Sequence, residues 1–183
     1  EEDISAPYVY AYKSQALKKN QEILATLPGE LIDLDGTLAA KIGARMMITM
    51  NSNLGKGRKN AYFNGTQGIL KEIHKQFVII ERENGHCIKL FKQWVPTNEI
   101  GVSVYQYPLL LSYALTIHKV QGMTLDHLNI HPNCFAPGQL YTAMSRVKTL
   151  EGIHLLAPIK ESDVIVSSVA LDYKKQSQLH VVA

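Results

Sequence analysis

Cysteine is scarce: Cys87 and Cys134 are the only two in 183 residues. Two cannot build a disulfide scaffold and fit a reducing compartment. No run approaches the roughly 18 consecutive apolar residues of a membrane span, and the acidic opening Glu1-Glu2-Asp3 is unlike a signal peptide. The expectation is a soluble intracellular protein, cytoplasmic, with nucleoid or nuclear location depending on its source. A strong charge excess is missing too. Lys plus Arg, 19, against Asp plus Glu, 16, leaves +3, so a polyanionic partner needs a local basic patch. A phosphate-cradling G-x-x-x-x-G-K-[S/T] loop is also absent. The only Gly-Lys, Gly55-Lys56, is followed by Gly57, and Met50 stands where the first glycine belongs.

What is present is a chain that is 46% hydrophobic and 19% charged, enough to form a core and to exclude wholesale disorder. Pro7 to Tyr12 reads as a strand. Ser14 is the expected N-cap of a helix with Leu17, Ile23, Leu24 and Leu27 on its stripe, and Pro28-Gly29 ends it. Five short strands then follow: 44–50, 68–74, 77–83, 87–94 and 102–107. Asn84-Gly85 marks a hairpin in which both turn residues tolerate positive φ, and Asn64-Gly65 marks another turn. Such density predicts a small β-barrel. From residue 108 the α/β character returns, with strands at 128–130 and 153–156, a helix over 138–146, and a weak strand and helix beyond Ser162. The expected domains are an α/β domain, 7–43 and 108–183, interrupted by a β-barrel over 44–107.

Two segments carry the chemistry. In Tyr113 to Asp126 a buried strand runs into Thr116, His118, Lys119, Gln121, Gly122 and Thr124, placing donors at the carboxyl edge of a sheet, where α/β folds bind ligands. Hydroxyl, ammonium and turn amides suit phosphate oxygens; the plainer alternative is a helix start with Thr116 as cap and His118 and Lys119 solvated. Gly138 to Arg146 forms a helix burying Leu140, Ala143 and Met144. Its terminal Arg146 either complements the helix dipole or waits for bidentate contact with phosphate.

Together, Ala114-x-Thr116-Ile117-His118-Lys119-x-Gln121-Gly122-x-Thr124 and Gln139-x-Tyr141-x-Ala143-x-Ser145-Arg146, followed by Leu150-Glu151-Gly152, resemble motifs V and VI of superfamily 1 DNA helicases of the RecD/Pif type. Gly43 to Met47 and Phe63 to Gly68 resemble the lead into that family's inserted barrel. The resemblance covers about residues 8–157. It implies a second RecA-like parallel-sheet domain of the P-loop NTPase type, itself without the P-loop, carrying an insertion of the Src-homology-3 type. It further implies 5′→3′ movement on DNA driven by ATP with Mg²⁺. Arg146 would be the arginine finger, with Gln139 coupling nucleotide state to domain closure. Thr116, His118, Lys119 and Thr124 would line single-stranded DNA, and Gln121-Gly122 would link that track to the nucleotide. P-loop, Walker B acids and first RecA-like domain are missing, so the expected partner is that first domain, holding ATP and Mg²⁺, and the chain alone is expected to lack ATPase activity. Tyr10-Ala11-Tyr12-Lys13 departs from the small polar residue usual after the first strand.

Other readings remain. The chain could be a stand-alone nucleic-acid binding module. Lys56, Arg58 and Lys59, with Tyr62 and Phe63 nearby, combine charge and rings as single-strand surfaces do. Asp33-Leu34-Asp35-Gly36-Thr37 resembles the opening motif of haloacid-dehalogenase-type phosphatases, with Asp33 as nucleophile and Asp35 as acid/base; the competing reading is a turn rich in Asp and Gly. His118, His127, His131 and Cys134 are the metal-ligating types that cluster in sequence, but strand geometry separates His127 from His131, and no metal site is expected. Trp94 is expected in a core or between domains, and both thiols are expected to be inert.

Overall fold

The computed structural model describes residues 3, 5–52, 61–97, 99–169 and 171–173. The basic loop residues Lys56, Arg58 and Lys59 lie outside the described residues. Two compact units emerge, one from 1–16 with 114–183, the other from 17–113. The sequence placed the divisions at 43/44 and 107/108; contacts instead group 17–43 and 108–113 with the β-rich segment.

The first unit holds four strands, β1 (Tyr8–Tyr10), β11 (Ala114–Thr116), β12 (Leu128–Ile130) and β13 (Ile153–Leu155). They form a parallel sheet in the order β11-β1-β12-β13. Val9, Leu128 and Ile130 are fully buried, the apolar composition a parallel sheet needs when both faces are covered. Helices α2 (Ile117–Val120) and α3 (Gln139–Met144) belong to this unit and pack against each other. Ile117 and Val120 of the first and Leu140 and Ala143 of the second are buried. Beyond β13 come a 3₁₀ turn at Glu161–Asp163 and helical residues at 168–169 and 171–173, with no strand among the described residues.

Helix α1 (Lys13–Thr26) spans the division between units. It begins before Ser14, so that residue sits in the first turn rather than capping it. Leu24 is buried and Leu27 packs beside it, as the stripe predicts, but Leu17 is half exposed. Gly29, at φ +92°, turns the chain out of the helix.

The second unit contains β2 (Ile32–Asp33) and β3 (Ala39–Ala40) as one small hairpin. Then come β4 (Arg45–Ile48), β5 (Gln67–Ile73), β6 (Phe77–Glu81), β7 (Cys87–Phe91), β8 (Gln93–Pro96), β9 (Ser103–Gln106) and β10 (Leu109–Leu111). An antiparallel sheet of five strands runs β10-β4-β5-β6-β7. Alternation is strict where it matters: Val78 and Ile80 face Leu90 and Ile88 in register, and all four are fully buried. Sequence reading named five strands, yet two of its choices differ. Residues 87–94 break into β7 and β8, and 102–107 pairs with β8 as a separate hairpin, leaving β10 to fill the fifth place. The Asn84-Gly85 turn forms with only Gly85 at positive φ, +74°. Its N–H donates to the Arg82 carbonyl, and Arg82 N–H to the His86 carbonyl, so the loop is longer than a two-residue turn. Trp94 is not in a core: it is 67% exposed on β8, its ring 5.6 Å from that of Tyr105 on β9.

Candidate functional site

Thr116 is the last residue of β11 and pairs with Tyr10 at the carboxyl end of β1. Its backbone is still extended, at φ −84° and ψ 156°, and α2 starts immediately after it; its side chain makes no capping bond. Four residues of helix follow, burying Ile117 and Val120 and leaving His118 and Lys119 exposed. The helix is too short for propensity to hold it; those two anchors fix it instead. Gln121 is extended, and Gly122, at φ +82°, reverses the chain, a conformation open to glycine without strain. Gln121, Gly122 and Thr124 are all exposed.

Leu125 returns to the interior and docks on the second motif. Its N–H donates to the Arg146 carbonyl at 2.8 Å, its carbonyl accepts from Lys148 N–H at 3.3 Å, and a parallel bridge joins Leu125 to Val147. Asp126 and Lys148 add an exposed ion pair at 2.7 Å, which contributes little in water although it holds the Asp126 carboxyl below its usual range. Gly152 closes this junction. A Cβ there would lie 2.1 Å from the Asp126 carbonyl oxygen and 2.6 Å from a Val147 methyl.

Gly138, in the left-handed region at φ +73°, precedes α3. Gln139 is buried, and its Oε1 accepts the Phe135 and Ala136 N–H groups at 3.1 and 3.2 Å. That oxygen is therefore committed to shaping the loop before α3. Leu140 and Ala143 are buried as expected, while Met144 is only partly covered. Arg146 lies two residues past the helix and is partly buried. Its Nε donates to the Thr142 carbonyl at 3.1 Å and its Nη2 to Ser145 Oγ at 3.0 Å, while Ser145 Oγ donates to the Thr142 carbonyl. Two of the five guanidinium N–H groups thus orient the side chain. No carboxylate among the described residues pairs with it, which leaves donors for an incoming anion.

Ser145 was part of the matched motif but carried no assigned role; its contact with Arg146 follows from the turn at the end of α3, which no spacing announces. The sequence likewise gave no sign that Gly152 keeps the two motifs in contact.

Asp33 and Asp35 do not form a phosphatase site. Asp33 Oδ1 accepts from the Asp35 and Gly36 N–H groups. Asp35 Oδ1 accepts from Thr37 N–H, Thr37 hydroxyl and Leu38 N–H, while its Oδ2 accepts from Tyr107 N–H at 2.7 Å. Both carboxylates build the turn of a two-stranded antiparallel hairpin rather than ending a parallel strand. The metal types grouped by sequence do not assemble either: among the described residues His118, His131 and Cys134 join no metal-ligating cluster, and His127 is the one member found in another. Burial pushes the Cys134 thiol up, with the Asp163 carboxylate adding to it, the direction of an unreactive thiol.

No protein-family model matches the chain. The chain is 33% identical over 144 residues to "ATP-dependent DNA helicase Pif1" of Bdellovibrio bacteriovorus, covering 76% of the chain and 31% of that relative. It superposes with a TM-score of 0.77, at 30% identity, on a solved structure of Pif1 helicases unwinding forked double-stranded DNA as a coordinating pair, covering 98% of this chain and 46% of that one. Against Bacteroides Pif1 helicase in complex with ADP-AlF3 and single-stranded DNA the TM-score is 0.70, at 27% identity, over 97% of this chain and 46% of that one. The chain therefore spans about a third of the length of the curated relative and about half of the solved chains.

Proposed function

Since the chain belongs to the Pif1-type DNA helicases of superfamily 1, we propose that it is the second RecA-like motor domain of an ATP-dependent DNA helicase moving 5′→3′. In this reading the parallel sheet is the motor core, and the five-stranded antiparallel sheet belongs to the inserted barrel of the Src-homology-3 type. One observation carries the assignment. The loop bearing Thr116, His118, Lys119 and Thr124 and the turn bearing Arg146 are bonded to each other through Leu125, which supports a reading in which the donors proposed for the strand and for phosphate share one junction.

Lys119 and His118, exposed on α2, meet the phosphates of single-stranded DNA, with Thr116 and Thr124 beside them. Gln121-Gly122, between Lys119 and Leu125, transmits the position of the strand to the nucleotide side. Lys56, Arg58 and Lys59, by their charge in the sequence, are further proposed contacts to the strand. Arg146 supplies its unengaged N–H groups to the γ-phosphate, where charge develops during transfer, and Gln139 holds the loop ahead of α3 while the domains close. A guanidinium already oriented by Thr142 and Ser145 fits that task. The chain has no P-loop, so ATP and Mg²⁺ are held mainly by the first RecA-like domain, and these 183 residues alone do not turn over ATP.

Fluorescence anisotropy of the 183-residue chain with oligo-dT, over a series of salt concentrations and alongside an ATPase assay, tests the proposal. Binding that weakens linearly in log salt, with no ATP turnover, supports it. Salt-independent or absent binding, or ATP hydrolysis by the chain alone, overturns it.

A further inference from the structure

At the opposite end of the parallel sheet from Thr116, three side chains far apart in sequence meet. His127 immediately precedes β12, His154 lies in β13, and Asp3 precedes β1. Their facing atoms form a nearly equilateral triangle: His127 Nδ1 to His154 Nε2 is 3.4 Å, His127 Nδ1 to Asp3 Oδ2 is 3.9 Å, and His154 Nε2 to Asp3 Oδ2 is 3.8 Å. The point equidistant from three atoms so spaced lies about 2.1 Å from each, against roughly 2.0–2.2 Å for imidazole and carboxylate bonds to zinc. We propose that Asp3, His127 and His154 form a binding site for a divalent transition cation of the zinc class, which clasps the segment before β1 to strands β12 and β13.

The surroundings are ordered as a metal site requires. Asp3 Oδ1 is occupied by the Ser5 N–H and hydroxyl, at 2.9 and 2.6 Å, which turns Oδ2 toward the two imidazoles. The Asp3 backbone is fixed in turn by Asn129, fully buried in β12. Asn129 Oδ1 accepts the Asp3 N–H at 2.9 Å, and its Nδ2 donates to the Asp3 and Ala6 carbonyls. Asn129 pairs in register with both Tyr8 and His154, so one buried amide aligns the carboxylate with the histidine of the neighbouring strand. Such outer contacts orient ligands and tune affinity.

Two imidazoles and one carboxylate suit zinc or a similar borderline cation, and exclude calcium and magnesium, which take oxygen. Three protein ligands leave a place for water. Each ligand lies in a strand of the parallel sheet or ahead of one, so the cation would add a link among three elements of that sheet. His154 and Asp3 are 151 positions apart, which is why the sequence, weighing His127 only with His118, His131 and Cys134, gave no sign of it.

Titration of the metal-free 183-residue chain with Zn²⁺ by calorimetry, and with Co²⁺ followed by visible absorption, tests the site. One cation per chain is expected, with a rise in Tm on adding Zn²⁺ and Co²⁺ bands of nitrogen-containing low coordination. His154→Ala and Asp3→Ala should each weaken Zn²⁺ binding by at least roughly tenfold, and His131→Ala should leave it unchanged. Circular dichroism in chelator establishes that each variant folds; where an alanine variant does not, His127→Gln is read in its place. Absent binding, binding insensitive to His154 and Asp3, or a Co²⁺ spectrum of six oxygen ligands overturns the proposal.

Discussion

Leu125 donates its backbone N–H to the carbonyl oxygen of Arg146 at 2.8 Å. This bond joins the two motifs that the sequence showed only as separate strings. The loop holding Lys119 and Gly122 is therefore joined through main chain to the residue that carries the guanidinium.

Arg146→Ala leaves that backbone bond in place and removes only the side chain. In the full-length protein, ATPase turnover should fall by about 10³-fold or more, the scale of arginine-finger losses. Single-strand affinity without nucleotide should hardly change. Steady-state ATPase and anisotropy measured on one preparation decide; a large loss of affinity would place Arg146 on the DNA instead.

Lys119 is exposed, and no bond or ion pair among the described residues engages it. Lys119→Ala should weaken oligo-dT binding and lower the slope of log affinity against log salt by about one contact, with thermal stability unchanged. An unaltered slope would take Lys119 off the strand.

Gly152→Ala should destabilise the first unit by about 1–3 kcal/mol, the usual cost of overpacking. The added Cβ would strike the Asp126 carbonyl, which is backbone and cannot swing aside. The check is a lowered Tm together with faster amide exchange at Leu125 N–H. A variant as stable as the parent would show that the junction yields.

Asp35 gives a pH dependence. Burial works against its charge, but the Thr37 hydroxyl and the N–H groups of Tyr107, Thr37 and Leu38 outweigh it, so its carboxyl sits below the ordinary value. A depressed carboxyl stabilises the fold above its unfolded value, near about 3.9, and that stabilisation is lost as pH falls through the folded value. Asp35→Ala should cost about 1–3 kcal/mol by stranding the N–H of buried Tyr107, and should flatten the acid limb of a stability profile taken by urea denaturation between pH 5 and 2, a range of about three units around that value. Neither Asp33→Asn nor Asp35→Asn should change phosphate-ester hydrolysis, which is expected to be nil.

Local chemistry determined much of this protein without help from the fold. Alternating Val78, Ile80, Ile88 and Leu90 could bury one face only as adjacent strands. Thr116 at the end of an apolar run had to emerge at a strand terminus, and Gly29 and Gly122 had to turn. The motif order through His118, Gln121 and Arg146 was enough to recognise the helicase family. Long-range placement was decided elsewhere. Trp94 has the composition of a core residue but lies on a separate hairpin, because β10 took the place in the sheet that its neighbours were expected to fill. Asp33 and Asp35 carry a catalytic string that the turn amides consume. Asp3, His127 and His154 meet only because a parallel sheet sets chain ends side by side: strand periodicity is short-range information, and which strands become neighbours depends on the packing of the whole unit.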